Sequence, residues 1–137
     1  MSESLLTDPN VAQLADVEPE QAVVIITSGA LQTQGMAVVL SRAMQEQGVQ
    51  LSILLCDSAA ELAVASYQSA EALAPKGMKP EGVLQQIIAA GAYVAVCALY
   101  LPNSKYQEED LREGVSVAQP AQMAQLLRDP KRKVFTF

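Results

Sequence analysis

The sequence contains no histidine and no tryptophan, and aromatic residues make up only 4% of its 137 residues. The absence of histidine removes the commonest general base and the commonest metal ligand together. Scarce aromatic residues also leave few platforms on which nucleic-acid bases could stack. A formal net charge of −6 argues the same way, because a nucleic-acid binder needs a basic face to neutralise phosphates. We therefore expect no nucleic-acid partner.

Cysteine is also rare, since only Cys56 and Cys97 are present, too few for the disulfide framework of a small secreted domain. The first residues, MSESLLTDPN, lack the basic segment of a secretory signal. The longest apolar stretch, 87–101, is interrupted by Gly91 and is shorter than the about 18 residues that a membrane span requires. These features predict a soluble cytoplasmic protein with no membrane partner.

What the sequence does contain is a regular alternation of short apolar runs and helical patterns, and half of its residues are hydrophobic. The apolar runs predict strands at 22–27, 49–56, 92–101, 115–118 and 133–137. Helical spacing or helix-start signals predict helices at 36–48, 57–67, 80–91 and 120–129, with a short one within 102–114. Such alternation implies right-handed crossover units. We predict one α/β domain over 22–137, flavodoxin-like, with a mainly parallel five-stranded sheet, helices on both faces and an N-terminal extension over 1–21.

The expected position of a site follows from the order of the strands. A flavodoxin-like order, 2-1-3-4-5, places the ligand crevice between strands one and three, beyond their carboxyl ends. Strand three ends near Cys97, and the loop 75–79 is expected to cover the crevice. The predicted wall of this crevice is Thr27, Ser28, Gly29, Met78, Asn103 and Ser104. Asn103 and Ser104 are expected to begin a helix whose N–H groups face the strand end.

The same strand order predicts that Cys56 and Cys97 do not pair. Strand one would separate their strands, and with adjacent strands about 4.8 Å apart the gap is roughly 10 Å. A disulfide tolerates about 7 Å between Cα atoms. We therefore predict two free thiols, with Cys56 structural. Cys97 has two open roles, because a free cysteine often fills a core, whereas a reactive one needs a cation or N–H groups to stabilise its thiolate.

Several segments of this domain resemble the DsrE/DsrF-like family. The resemblance covers about residues 22–137, and its most specific part is the helix–Gly–strand–Cys segment ending at Cys97, followed by 110–115. The segments that carry it are AVVIITSG, GVQLSILLCDSAAELA, PKGMKPEGVLQQIIAAGAYVAVC and DLREGVSVA. The resemblance implies a flavodoxin-like fold that assembles into homotrimers or hexamers.

The resemblance also implies sulfur chemistry at Cys97. Several family members accept sulfur as a persulfide on a cysteine at the position matching Cys97 and pass it to a partner protein, without a metal or an organic cofactor. A thiolate takes the outer sulfur of a donor persulfide and later yields it to an acceptor thiolate. The leading hypothesis is therefore a cytoplasmic sulfur carrier, or sulfurtransferase, with Cys97 as its catalytic residue and with donor and acceptor proteins as partners.

Two other functions remain open on the sequence. The first is an oligomeric scaffold or regulatory protein in which Cys97 is inert and buried. The second is binding of a small anion or a nucleotide in the crevice, although the turn TSGALQTQG lacks the glycine spacing of a phosphate-binding loop. The exposure of the Cys97 sulfur separates the first alternative from the sulfur carrier.

Overall fold

The computed structural model describes residues 18–137, and most of the predicted N-terminal extension lies outside them. Within this part of the chain, five parallel strands form one sheet. The strands are β1 (Gln21–Ile26), β2 (Gln50–Leu55), β3 (Tyr93–Cys97), β4 (Val115–Ala118) and β5 (Arg132–Thr136). The α-helices are α1 (Leu31–Glu46), α2 (Pro80–Ala89) and α3 (Pro120–Arg128). Three 3₁₀ helices complete the elements, at Asp57–Ala63, Leu101–Asn103 and Glu108–Asp110.

The α/β class with a parallel five-stranded sheet is confirmed, but the predicted strand order 2-1-3-4-5 is wrong. The strands lie in the order β4-β3-β2-β1-β5. β2 therefore pairs with both β1 and β3, and no crevice exists between β1 and β3. Three successive crossovers carry the chain in one direction, from β1 to β4, before the last connection returns it to the free side of β1. Local hydrophobic patterns predict where strands occur but carry no signal for this direction of travel.

The direction of each crossover also explains which face each helix covers. Because crossovers are right-handed, connections that run the same way along the sheet place their helices on the same face. α1 and α2 pack against each other on one face, together with the 3₁₀ helix Asp57–Ala63. The connection from β4 to β5 runs the opposite way, and α3 packs on the other face through Met123 and Leu126. Helices on both faces are therefore confirmed.

The core lies mainly between the sheet and the α1–α2 layer. Its largest fully buried side chains include Ile26, Ile53, Leu84 and Ile87. Each such side chain contributes about 1.5–3 kcal/mol through removal of its apolar surface from water. Val23 and Ala95 belong instead to a smaller cluster on the α3 side. The three central strands are thus buried on both faces, as their continuous apolar runs predict.

Three local predictions differ from the structure. The strand predicted over 92–101 ends at Cys97 and is followed by a turn. α1 begins at Leu31, five residues before the predicted start, so the turn after β1 is shorter than predicted. Gly35 lies inside this helix, where the side chain of Leu73 occupies the space that a Cβ would need. The segment predicted as a helix over 57–67 is a 3₁₀ helix that ends at Ala63. The ends of β1 and β2 lie close together because the two strands are paired up to Ile26 and Leu55.

Candidate functional site

The two cysteines lie side by side, because β2 and β3 are neighbours in the sheet. Leu54 pairs with Ala95 in the parallel register, so the residues two positions further along, Cys56 and Cys97, lie on the same face of the sheet. Their Cα atoms are 5.3 Å apart, and their sulfur atoms form a disulfide. The prediction of two free, separated thiols is therefore wrong. The error came from the predicted strand order, which placed β1 between β2 and β3, where no strand lies.

A pocket of about 600 Å³ opens over this pair of sulfur atoms. Both cysteines are partly exposed, so neither is sealed in the core. The lining comprises the residues that follow each strand: Cys56, Asp57, Ser58, Cys97, Leu99, Tyr100 and Asn103. Because these residues come from the carboxyl ends of two adjacent parallel strands, the pocket lies at the edge where α/β proteins commonly bind ligands.

Asp57 holds an uncommon backbone conformation directly after Cys56. Its φ is +50°, in the left-handed region that non-glycine residues adopt at a cost of roughly 1–2 kcal/mol. The backbone N–H of Cys56 donates to the carbonyl of Ile26 at 2.9 Å, so β2 remains attached to β1 up to the cysteine itself. The sharp turn at Asp57 then starts the 3₁₀ helix and leaves Cys56 at the floor of the pocket. Strain of this kind concentrates at functional sites.

The opposite rim of the pocket is a tight turn that follows β3. The N–H of Tyr100 donates to the carbonyl of Cys97 at 3.0 Å, and the Asn103 side-chain amide donates to the carbonyl of Leu99 at 2.8 Å. These bonds hold Leu99 outward, with 77% of its surface exposed. The pocket therefore has an apolar rim beside the Cys97 sulfur.

The charges around the pocket do not supply a cation to the sulfur atoms. Asp57 is the charged residue among the lining residues described above. Lys105, the nearest lysine after Cys97 in the sequence, has its ammonium 5.4 Å from the centroid of the Tyr106 ring. Burial raises the pKa of the Tyr100 hydroxyl, and the charges of Glu61 and Tyr106 raise it further. Tyr100 therefore remains a neutral O–H group at physiological pH.

The residues predicted from the end of β1 lie beside the pocket rather than in its lining. Thr27 is tied to the C-terminal residue, because its N–H donates to the carbonyl of Phe137 at 2.8 Å. The Ser28 hydroxyl accepts from the N–H of Ala30 at 3.0 Å and so stabilises the turn into α1. Gly29 approaches the pocket most closely, since a Cβ on it would lie 2.9 Å from the Cβ of Ser58.

The remaining predicted wall residues divide between three places. Asn103 lines the pocket with Cys97, but the prediction that Asn103 and Ser104 begin a helix is wrong, because the 3₁₀ helix Leu101–Asn103 ends there. Ser104 is partly buried just behind it, where its hydroxyl accepts from the N–H of Tyr106 at 3.1 Å. Met78 lies elsewhere, in an apolar groove of about 680 Å³ that the loop 73–78 forms against α1. The loop 75–79 therefore packs beside α1 and does not line the thiol pocket.

A buried polar cluster that the sequence did not single out lies around the end of the 3₁₀ helix that starts at the pocket. Arg112 is 7% exposed and donates to the carbonyls of Leu62 and Tyr67 at 2.7 and 2.8 Å. Glu81 accepts from both the N–H and the hydroxyl of Ser69 at 2.6 Å. Arg112 thus fastens the end of the 3₁₀ helix that starts at the pocket. A lone arginine in a polar stretch carries no sequence signal for burial, so only the structure identified this role.

Two kinds of feature are absent from residues 18–137. No group of three or more histidine, cysteine, aspartate or glutamate side chains in 18–137 is arranged to hold a metal ion. No helix within these residues combines the length and the apolar character that a membrane crossing requires.

Comparison with known proteins shows the fold of this chain. The protein of the crystal structure of ychN from E. coli superposes with a TM-score of 0.68 at 22% identity, over 85% of this chain and 99% of that one. A protein of unknown function from Methanobacterium thermoautotrophicum, MTH1491, superposes with a TM-score of 0.65 at 13% identity, over 85% and 98% of the two chains. No family model matches the sequence, and no curated protein does. The domain from β1 to β5 thus has the flavodoxin-like α/β fold that these two proteins share.

Proposed function

We propose that this protein is a cytoplasmic sulfur carrier that accepts sulfane sulfur as a persulfide on Cys97 and passes it to a partner protein. The single observation that carries the proposal is the pocket of about 600 Å³ over two partly exposed cysteines at the ends of β2 and β3. The resemblance to the DsrE/DsrF-like family adds the expectation of persulfide chemistry. A cysteine that only fills the core is not expected to line an open pocket.

The chemistry requires the reduced form of the pair. The Cys97 thiolate attacks the outer sulfur of a donor persulfide, the donor sulfur–sulfur bond breaks, and the donor leaves as a thiolate. An acceptor thiolate then takes the outer sulfur from Cys97 in the same way. Cytoplasmic disulfides are usually transient and catalytic or redox-sensing, which fits a pair that opens and closes during function.

Cys97 is the better candidate for the carrier for two reasons. Asp57 follows Cys56 directly and lines the same pocket, and a neighbouring carboxylate disfavours a thiolate. Cys97 lies instead beside the exposed apolar rim of Leu99, where a partner protein can approach it. Cys56 packs against the cluster on the α3 side of the sheet.

The same charges favour a protein-bound persulfide over a small anion as the sulfur donor. The lining residues of the pocket include the carboxylate of Asp57 and no lysine or arginine. Binding of thiosulfate or of a nucleotide phosphate usually uses cationic side chains or the N-terminus of a helix. We therefore expect a donor persulfide on a protein to charge Cys97 faster than free thiosulfate does.

We also propose that the carrier is a homo-oligomer, a trimer or a hexamer, and that an outer face of α1 contributes to its interface. Met36, Val39 and Leu40 lie on adjacent turns of this helix and are 54%, 44% and 42% exposed. Three large apolar side chains at this spacing form a stripe that a second chain can cover. The stripe borders the groove that contains Met78.

Sulfur uptake by the fully reduced protein tests the carrier function. The protein is reduced, freed of reductant and incubated with a cysteine desulfurase and cysteine, and its peptides are then examined by mass spectrometry. We expect the mass of one added sulfur atom on the Cys97 peptide of Cys56→Ser, which retains the carrier cysteine alone, and of the wild type at early times. Cys97→Ser is expected to gain none.

A matched control separates uptake from general reactivity. Ser116→Ala changes an exposed side chain on β4, retains both thiols and is expected to take up sulfur like the wild type. Equal uptake by Cys97→Ser and Cys56→Ser would show that Cys97 is not the carrier. A parallel incubation with thiosulfate alone tests the class of sulfur donor. If thiosulfate charges Cys97 faster than the desulfurase does, the proposal that the donor is a protein-bound persulfide is wrong.

A further inference from the structure

We propose that Cys56 is a resolving thiol, which discharges the sulfur held on Cys97 as hydrosulfide. This inference rests on the proposed function, because it concerns the fate of the persulfide on Cys97. It adds a second outcome to transfer: in the absence of an acceptor protein, the pair reduces the carried sulfur. The protein would then have a persulfide reductase activity that a carrier with a single cysteine lacks.

The first argument is that the sulfur atom of Cys56 can contact the sulfur atom of Cys97. A resolving thiol must contact the sulfur atom of the carrier cysteine itself, and the disulfide shows that the two sulfur atoms can bond without rearrangement of the strands. The Cα separation of 5.3 Å lies within the ordinary range for such a bond. The pairing of Leu55 with Val96 aligns the residues that follow them, so the register of the sheet itself sets this distance.

The second argument is the space above the pair. A persulfide on Cys97 needs room for one more sulfur atom, and a hydrosulfide ion needs a path to water. The pocket of about 600 Å³ supplies both, since it opens over the two cysteines and is bordered by Leu99 and Tyr100. A disulfide that served only to fasten two strands would need no such opening, and β2 and β3 are already joined by their backbone hydrogen bonds.

The step balances as a thiol–disulfide exchange. The Cys56 thiolate attacks Sγ of Cys97, the bond between Sγ and the outer sulfur breaks, and the outer sulfur leaves with the bonding pair as HS⁻. The new bond is the Cys56–Cys97 disulfide. The carried sulfane sulfur is reduced, and the two cysteines are oxidised by the same two electrons.

A dithiol reductant completes the cycle. It reduces the Cys56–Cys97 disulfide by two successive exchanges and leaves as its own disulfide. The sum is a donor persulfide plus a dithiol giving a donor thiol, a reductant disulfide and hydrogen sulfide. The disulfide observed in the structure corresponds to the state of the pair after discharge and before reduction.

A single-turnover experiment tests the inference. Reduced wild-type protein, Cys56→Ser, Cys56→Ala and Cys97→Ser receive glutathione persulfide, and the excess is removed by rapid desalting. Intact mass then follows the persulfide, and a sulfide-selective fluorogenic reagent follows hydrosulfide. We expect the wild type to release about one equivalent of sulfide per charged chain while losing two hydrogens as the pair closes.

The two Cys56 variants are expected to hold the persulfide on Cys97 at least about tenfold longer than the wild type, because the resolving thiolate is absent. Both a serine and an alanine variant are used, so that the test still works if one of them folds poorly. Circular dichroism checks the folding of each variant. If the wild type retains its persulfide as long as these variants do, the resolving role is wrong and the carrier function stands. If the variants never acquire sulfur on Cys97, the carrier function fails and the resolving role fails with it.

Discussion

Gly29 lies so close to Ser58 that a Cβ on Gly29 would be 2.9 Å from the serine Cβ. This contact joins the turn after β1 to the 3₁₀ helix that borders the thiol pocket. Real Cβ atoms almost never approach so closely, and Ser58 has a short side chain with no flexible end to move aside. The position of Ser58, two residues after Cys56, therefore depends on the absence of a side chain at 29.

We expect Gly29→Ala to lower the free energy of unfolding by about 1–3 kcal/mol, because the added methyl group displaces Ser58. It should also change the rate at which the reduced Cys56 reacts with iodoacetamide. Urea unfolding and peptide mass spectrometry measure the two effects. Gly82→Ala is the matched control, since a Cβ there meets no atom within 4 Å, and a gain of about 0.5–1 kcal/mol is expected. Equal effects of the two substitutions would contradict this prediction.

Asp57 combines a left-handed backbone with a carboxylate in the pocket, and two substitutions separate these properties. Asp57→Gly relieves the backbone cost of roughly 1–2 kcal/mol and should not destabilise the fold, whereas Asp57→Val should destabilise it. Asp57→Asn keeps a side chain that tolerates this conformation but removes the charge. We expect Asp57→Asn to speed alkylation of the reduced Cys56, because loss of the carboxylate favours the thiolate. An unchanged rate would show that the carboxylate does not act on the sulfur.

The buried carboxylate of Glu81 predicts a loss of stability in acid. Burial raises its pKa, but the hydrogen bonds from Ser69 and the charge of Arg112 outweigh burial, so the pKa lies below its ordinary value. A group with a lowered pKa stabilises the fold fully above its ordinary pKa. That contribution is lost as the pH falls through the lowered value.

We therefore expect Glu81→Gln to cost about 1–2 kcal/mol near pH 7 and to reduce the acid dependence of stability below about pH 5. Urea titrations of wild type and variant across this range measure the difference. Glu109→Gln, on an exposed carboxylate, is the control and should leave the pH profile unchanged. If the two profiles of wild type and Glu81→Gln stay parallel, Glu81 does not contribute as described.

The apolar stripe on α1 makes the proposed assembly testable. Met36→Glu and Val39→Glu place charges where a partner chain would bury apolar surface, so we expect subunit dissociation constants to rise at least about tenfold. Sedimentation velocity over a concentration series measures this. Gln86→Glu, on the exposed side of α2, is the control and should not change the assembly. A wild-type protein that sediments as a single chain would overturn the oligomer.

The sequence by itself determined the elements of this protein. Continuous apolar runs around Val24 and Ile53 predicted buried parallel strands, and the signals at Pro80 and Gly91 predicted α2 closely. These patterns are local, because the spacing of apolar residues within a short segment indicates whether the segment is a buried strand or a helix. The position of Cys97 at the end of its strand followed from the same information.

Only the tertiary structure decided which strands are neighbours. The choice between orders 2-1-3-4-5 and 4-3-2-1-5 depends on the direction in which each crossover travels, and packing between distant segments sets that direction. Because β2, and not β1, is the neighbour of β3, Cys56 and Cys97 are a bonded pair and not two separated thiols. The burial of Arg112 was likewise decided by the tertiary structure. Its hydrogen-bond partners, the carbonyls of Leu62 and Tyr67, lie 50 and 45 residues away along the chain. Contacts of this kind leave no periodic trace in the sequence, so only the folded chain shows them.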